Sequence, residues 1–123
     1  MEPGQIILYS LLALMALLFI RKSILSRLLH QYNGSEAKQQ VKSGSILLDV
    51  RTARERSSLS IPSSIHIPLH ELSSRLNELE KFKGKEIICY CASGNRSVSA
   101  GIKLKKAGFN AGNLKGGISS WNF

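Results

Sequence analysis

Two cysteines, one residue apart, sit in the segment KEIICYCASGNRS, which runs from Lys85 to Ser97. Cys91 is followed by the small or polar residues Ala92, Ser93, Gly94 and Asn95, and then by Arg96 and Ser97. A thiol at a strand-to-helix turn meets the positive end of the helix dipole and a cluster of unpaired backbone N–H groups, and both favour thiolate over thiol. Gly94 lets the chain curl with its amides inward, making an anion-binding concavity, and Arg96 adds a permanent cation at the rim. Ser97 can cap the following helix and direct its hydroxyl toward the same anion. The spacing therefore points to nucleophilic chemistry at Cys91, with residues 92–97 holding negative charge. Cys89 lies on the same side of the strand but deeper, and it reads as a buried apolar residue; a disulfide between the two cysteines would need strained geometry.

The other titratable residues read as support. Asp49 ends an apolar run with Arg51 close behind it, the pattern of an ion-paired loop anchor, and Arg51 and Glu55 are expected to tie that same loop together. His66 and His70 could join the cysteines around a metal, but Pro68 stands between them and prevents the helical i, i+4 presentation that such pairs use, so no metal is expected.

These residues need elements to position them. Ser35 can N-cap a short helix ending at Gly44, and SILLDV (45–50) is a continuous apolar run suited to a strand buried on both faces. Ile65 to Ile67 is a weaker strand. Leu69, Leu72, Leu76, Leu79 and Phe82 fall three or four apart and predict one helix ended by Gly84. KEIICY (85–90) is a third strand, Ser97 to Ala107 a helix with Val98, Gly101 and Ile102 inward, and Ala111 to Leu114 a last strand before Gly116 and Gly117. Alternating strands and helices imply an α/β fold with a parallel sheet, whose reactive groups gather at the carboxyl ends of its strands. Only the turn at residues 91–97 carries chemistry at such an end.

Composition divides the chain in two. Its 123 residues carry 17 basic and 8 acidic side chains, a net charge of +9, and 43% are hydrophobic. Ile6 to Ile20 contains no charge at all. Counted from Pro3, a helix there is about 27 Å long against a hydrocarbon core of ~30 Å, enough to span. A cleaved signal peptide would need a basic start and a small-residue cleavage site, whereas Glu2 precedes the run and Arg21 and Lys22 follow it. Those cations and Arg27 place the N-terminus outside and the domain in the cytoplasm. Ile24, Leu25, Leu28 and Leu29 recur beside Arg21, Lys22, Arg27 and His30, as in an amphipathic helix lying among headgroups or a plain helical stalk, with Asn33 and Gly34 as a stop and linker. Residues 1–34 are thus expected to form a transmembrane anchor (span about 4–20) with its juxtamembrane segment, and residues 35–123 one domain. That domain holds 14 basic and 7 acidic residues. Two cysteines so close cannot make a disulfide framework, and the many Leu, Ile and Val exclude a disordered basic tail. No aromatic residues interleave with the lysines, so nucleic acid is not an expected partner; anionic donors and anionic lipid are.

The CASGNRS loop resembles the active-site loop of the rhodanese (sulfurtransferase) family. Asp49, Val50, Arg51 and Glu55 are similar to the family's D-V-R-x-x-x-E, and Leu114, Lys115, Gly116, Gly117 and Trp121 to its L-x-G-G-x-x-x-W. Ile61, Pro62, Ile65, His66, Ile67 and Pro68 are similar to its H-I-P-G-A-x-x-I-P. Leu59 and Ser60 replace the usual Gly-His, and Ser63 and Ser64 the usual Gly-Ala; these changes fall on local packing and substrate access and leave the cysteine untouched. The resemblance implies a rhodanese-like parallel sheet flanked by helices. It also implies covalent catalysis in which Cys91 takes sulfur from a donor such as thiosulfate and passes it, as a persulfide, to a thiol or cyanide acceptor without metal or organic cofactor. Cysteine phosphatases use a similar loop with five residues between Cys and Arg; four separate Cys91 from Arg96, which favours sulfur transfer. The non-enzymatic alternative is a rhodanese-like sulfur-carrier or protein-binding module at the membrane.

Overall fold

The computed structural model describes residues 1–123, except the side chains of Leu25 and Ser26. Its central element is the strand read from KEIICY. This strand, β4 (Glu86–Tyr90), is buried from Ile87 onward and pairs on both sides. Its neighbours are β2 (Ile46–Asp49) and β5 (Asn110–Leu114), with β3 (Ile65–His66) and β1 (His30–Tyr32) outside them. All pairs are parallel, in the order β1-β5-β4-β2-β3. Side-chain alternation along β4 builds two layers. Ile87 and Cys89 face a cluster with Ala100 and Leu104 of α4 (Asn95–Lys106), whereas Ile88 and Tyr90 face Ala37 of α2 (Gly34–Lys42). The expected α/β architecture is the observed one.

Several local expectations change. The cap of α2 is Asn33, not Ser35: its side chain accepts from the Glu36 N–H at 2.8 Å while Glu36 accepts from the Asn33 N–H at 3.0 Å, a closed capping box. The single helix expected over residues 69–82 is two 3₁₀ turns, Leu69–Ser74 and Leu76–Phe82, broken at Arg75. Spacings of three suit three residues per turn as well as an α-helix, so the same leucines reach the core. On α4 the residues facing the sheet are Ser97, Ala100, Gly101 and Leu104, one helical stripe, with Val98 and Ile102 half-buried beside it.

The largest change is upstream. α1 (Pro3–Arg27) contains one stretch, Pro3–Ile24, long and apolar enough to cross a membrane, and its large hydrophobic side chains are exposed. The amphipathic continuation through His30 is absent: the helix ends at Arg27, and Leu25, counted in that stripe, lies outside the described side chains. Leu29 is buried against Gly101, where even a Cβ would come within 2.8 Å of it. His30–Tyr32 then pairs with Gly112 to Leu114. The folded unit therefore begins before residue 35, because β5 would otherwise present an unpaired edge and the backbone groups of residues 30–32 satisfy it. Asn33 and Gly34 open α2 rather than serving as a linker.

Candidate active site

Cys91 leaves the sheet directly after β4, and the chain must turn there to start α4. Gly94 makes the turn with φ +103°, a backbone that L side chains rarely adopt, and occupies the N-cap position without offering a side chain. The uncapped amides are thereby left to another acceptor, the sulfur. The Gly94 N–H donates to Cys91 Sγ at 3.0 Å, and Ser97 Oγ lies 3.4 Å from it. Ser97 is the third residue of α4, so it does not cap the helix as its sequence position suggested; its hydroxyl serves the sulfur instead. Ala92, Ser93 and Asn95 are exposed around the loop.

Electrostatics follow from these contacts. Burial by itself raises the Cys91 thiol, but the Ser97 hydroxyl and the backbone N–H groups of Ser97, Gly94 and Ser93 outweigh it and bring the thiol below its ordinary value. Cys89 is fully buried one pleat deeper; desolvation, helped by the negative charge at Cys91, pushes its thiol far up. Hydrogen bonding thus favours the thiolate at Cys91, whereas burial favours the neutral thiol at Cys89.

Arg96 does not stand unaccompanied at the rim. Its Nη1 and Nη2 donate to Glu55 Oε1 and Oε2 at 2.7 and 2.8 Å. Glu55 also closes a capping box on α3 (Ala53–Ser58), accepting from the Thr52 N–H at 3.2 Å while its own N–H donates to Thr52 Oγ1 at 3.2 Å. Hydrogen bonding by Arg96, with help from Thr52, pulls the Glu55 carboxyl down to about 2 and raises the guanidinium in turn. Glu55 and Arg51 thus hold this region through different partners, Arg96 for the one and Asp49 for the other. Arg51 turns back onto Asp49, with Nε to Oδ1 at 3.0 Å and Nη2 to Oδ2 at 2.9 Å, because the two are neighbours on the same side of the chain. Burial would raise the Asp49 carboxyl, but the Arg51 bonds lower it overall. Arg51 also donates to the Leu59 carbonyl at 2.6 Å, and His66 Nε2 donates to the Arg51 carbonyl at 2.7 Å.

Residues not singled out from sequence complete this framework. Tyr90 Oη donates to Asp49 Oδ2 at 3.1 Å and accepts from the Ile61 N–H at 3.2 Å. Arg56 reaches Asp49 Oδ2 at 3.3 Å and Ser64 Oγ at 3.0 Å, so the departure at Ser64 is taken into one buried polar network. Thr52 carries a local signal, as the first residue of a T-x-x-E capping box; Ser64 stood out only as a departure from the family pattern, and nothing local marked Arg56 or Tyr90. Gly117, at φ +72°, passes beneath the loop so closely that a Cβ would overlap the Ala92 carbonyl, and the next N–H, from Ile118, donates to the Cys91 carbonyl at 2.9 Å. A cleft of about 330 Å³ opens beside the loop, with Val50, Pro68 and Leu69 as apolar wall and Thr52, Arg96 and Lys103 as polar wall. His70 lies at its edge beside Glu71, and His66 is engaged with Arg51, so neither histidine approaches the cysteines as a ligand pair.

Donors converging on a lowered thiol can stabilise negative charge on Cys91 and on an atom bonded to it, the physics of an oxyanion hole. Known proteins carry the same sequence and fold. The family model for the rhodanese-like domain matches residues 33–123. A sulfurtransferase of Allochromatium vinosum is 35% identical over 77 residues, 62% of this chain and 70% of that protein. A putative sulfur carrier protein of Bacillus subtilis is 41% identical over 87 residues, covering 68% of this chain and 46% of that protein. The crystal structure of a rhodanese-related protein from Thermoplasma volcanium superposes with a TM-score of 0.69 at 36% identity, over 75% of this chain and 89% of that one. The matched segment takes in β2 to β5 and the whole cysteine loop, and on that ground the chain belongs to the rhodanese-like domain family, with a general role in sulfur transfer.

Proposed function

We propose that the protein is a thiosulfate sulfurtransferase-like enzyme that moves a sulfane sulfur through a persulfide on Cys91. The Cys91 thiolate attacks the outer sulfur of an anionic donor such as thiosulfate; the new S–S bond forms as the donor's S–S bond breaks, and sulfite leaves with the electron pair. A thiol or cyanide acceptor then attacks the outer sulfur and Cys91 departs as thiolate. Ala92 to Ser97 form the substrate-binding loop, Arg96 and Lys103 attract the anion in the cleft, and Asp49, Arg51 and Glu55 hold the surrounding loops in place. The observation that carries this reading is the Gly94 N–H at 3.0 Å from Cys91 Sγ with Ser97 Oγ opposite, on a thiol below its ordinary value. No step requires a cofactor.

The apolar stretch of α1 supports a membrane-anchored enzyme, N-terminus outside and domain in the cytoplasm, since Arg21, Lys22 and Arg27 all follow the span. A topology reporter fused after Phe123 should be active only on the cytoplasmic side. The full chain, incubated with thiosulfate, should gain one sulfur on the Cys91 peptide by mass spectrometry and release thiocyanate when cyanide is added. The name of the Bacillus subtilis relative favours a second reading, sulfur carriage for one partner protein; a persulfide that forms without turnover on small acceptors would select it. No sulfur on Cys91 from any donor would overturn both.

A further inference from the structure

Of the basic groups on the surface shared by α1 and α4, Lys103 also lines the cleft beside Cys91, whereas Arg21, Lys22, Lys105 and Lys106 are left unused by the sulfur chemistry. Only Leu28 and Leu29 separate the end of α1 at Arg27 from β1 at His30, and Leu29 is locked against Gly101 of α4. α4 therefore lies beside the last turns of the apolar helix. A groove of about 290 Å³ runs between them, with Leu18 and Ile102 as its apolar floor and Arg21, Lys22, Lys103 and Lys106 as its rim. A smaller one adjoins it, lined by Leu28, Ile102, Lys105 and Lys106. Among the described residues, none of these cations is paired with a carboxylate; Lys103 makes only a 3.4 Å contact with Ser73 Oγ.

A row of like charges that lacks acidic partners raises its own energy unless an anion sits among them. An apolar floor beneath that row asks for an anion with a hydrocarbon part. The groove continues onto the apolar stretch Pro3–Ile24, so chains lying along Leu18 would place a phosphate level with Arg21 and Lys22. Resting on the transmembrane reading of α1, we propose that this groove binds an anionic phospholipid of the surrounding bilayer, and that the lipid holds α4 at the headgroup surface. The consequence reaches the site. Asn95, the first residue of α4 and part of the Cys91 loop, lines the adjoining cavity with Phe19 and Lys22, so the reactive loop is kept at the membrane face of the domain.

Lysine acylation footprinting of the full chain tests this, with the protein reconstituted in vesicles of phosphatidylcholine alone or mixed with phosphatidylglycerol. Lys38 and Lys42 of α2, on the opposite face of the sheet, are internal controls. Anionic lipid should slow labelling of Lys103, Lys105 and Lys106 by about five-fold each and leave the α2 lysines unchanged. Lys106→Glu, at an exposed position, should weaken protection at Lys103 and Lys105. Equal labelling in both vesicles overturns the lipid site. So does equal protection by soluble glycerophosphoglycerol in detergent, which would mark a phosphate site without need of a chain. Extraction at alkaline pH separates the two readings: a chain released from the vesicles fails as a transmembrane protein and takes the lipid site with it, whereas an inserted chain with unprotected lysines fails only the lipid site.

Discussion

Glu55 and Arg96, 41 residues apart in sequence, meet through two parallel hydrogen bonds of 2.7 and 2.8 Å. The same carboxylate closes the N-terminal capping box of α3, so the helix that follows β2 and the helix that follows Cys91 are joined at their first turns. The cation at the rim of the loop is thus aimed by a partner from another part of the chain, in the forked geometry that guanidinium and carboxylate share.

That pairing has a pH signature. The folded-state pKa of Glu55 is depressed, about 2 against an ordinary 4.5, so the stability it contributes is complete above pH 4.5 and disappears as pH falls toward 2. Roughly a third of each side chain meets water, which screens the contribution to about 1 kcal/mol or less. Urea titrations of the parent chain and Glu55→Gln should differ by a constant amount at neutral pH and converge in acid. A difference that widens in acid would show that another group governs this window.

Ser97 is expected to tune the nucleophile. Removing its hydroxyl in Ser97→Ala deletes a hydrogen bond that lowers the Cys91 thiol. One charge-assisted bond lost should leave roughly ten-fold less thiolate at neutral pH. The rate of iodoacetamide alkylation followed against pH reads this directly: its midpoint lies below that of an ordinary cysteine in the parent and moves up in the variant. An unmoved midpoint would assign the shift to the backbone amides alone.

The two cysteines should separate cleanly. Cys91→Ser should fold like the parent and take up no sulfur. Cys89→Ala should keep sulfur loading while losing about 1 kcal/mol of stability to the small cavity it opens, measured by thermal unfolding. Equal loss of loading in both variants would show that Cys89 takes part in the chemistry.

Two backbone positions predict opposite responses. Ser63 holds φ +66° without being glycine, so Ser63→Gly should stabilise the fold by about 0.5–1 kcal/mol. Gly117→Ala meets both a positive φ and the Ala92 carbonyl, and should cost a few kcal/mol and lower sulfur loading, because the loop must shift. Denaturant midpoints for the pair, together with Cys91 persulfide yield, check both.

Much of the site was legible because its signals are local. A run of apolar residues ending in Cys91, a glycine three residues on and a cation after it describe a strand, a tight turn and a helix start within one short segment. Where meaning depended on a distant partner, sequence reasoning went astray. HQY at residues 30–32 carries no apolar pattern, and it is a strand only because β5 offers an edge. Asp49 binding Arg51 was readable from proximity, but the addition of Tyr90, Arg56 and Ser64 around it was not.

The sequence by itself determined strands β2 to β5, helices α2 and α4, the position of the Cys91 thiol at a strand end and the apolar character of the first helix, since each follows from side-chain pattern over a few neighbouring residues. Tertiary structure decided the edge strand, the partner of Arg96 and the donors that lower the Cys91 thiol against its burial. Those depend on distances of about three ångströms between groups that only the closed sheet brings together, where burial and hydrogen bonding oppose each other and the geometry sets which prevails.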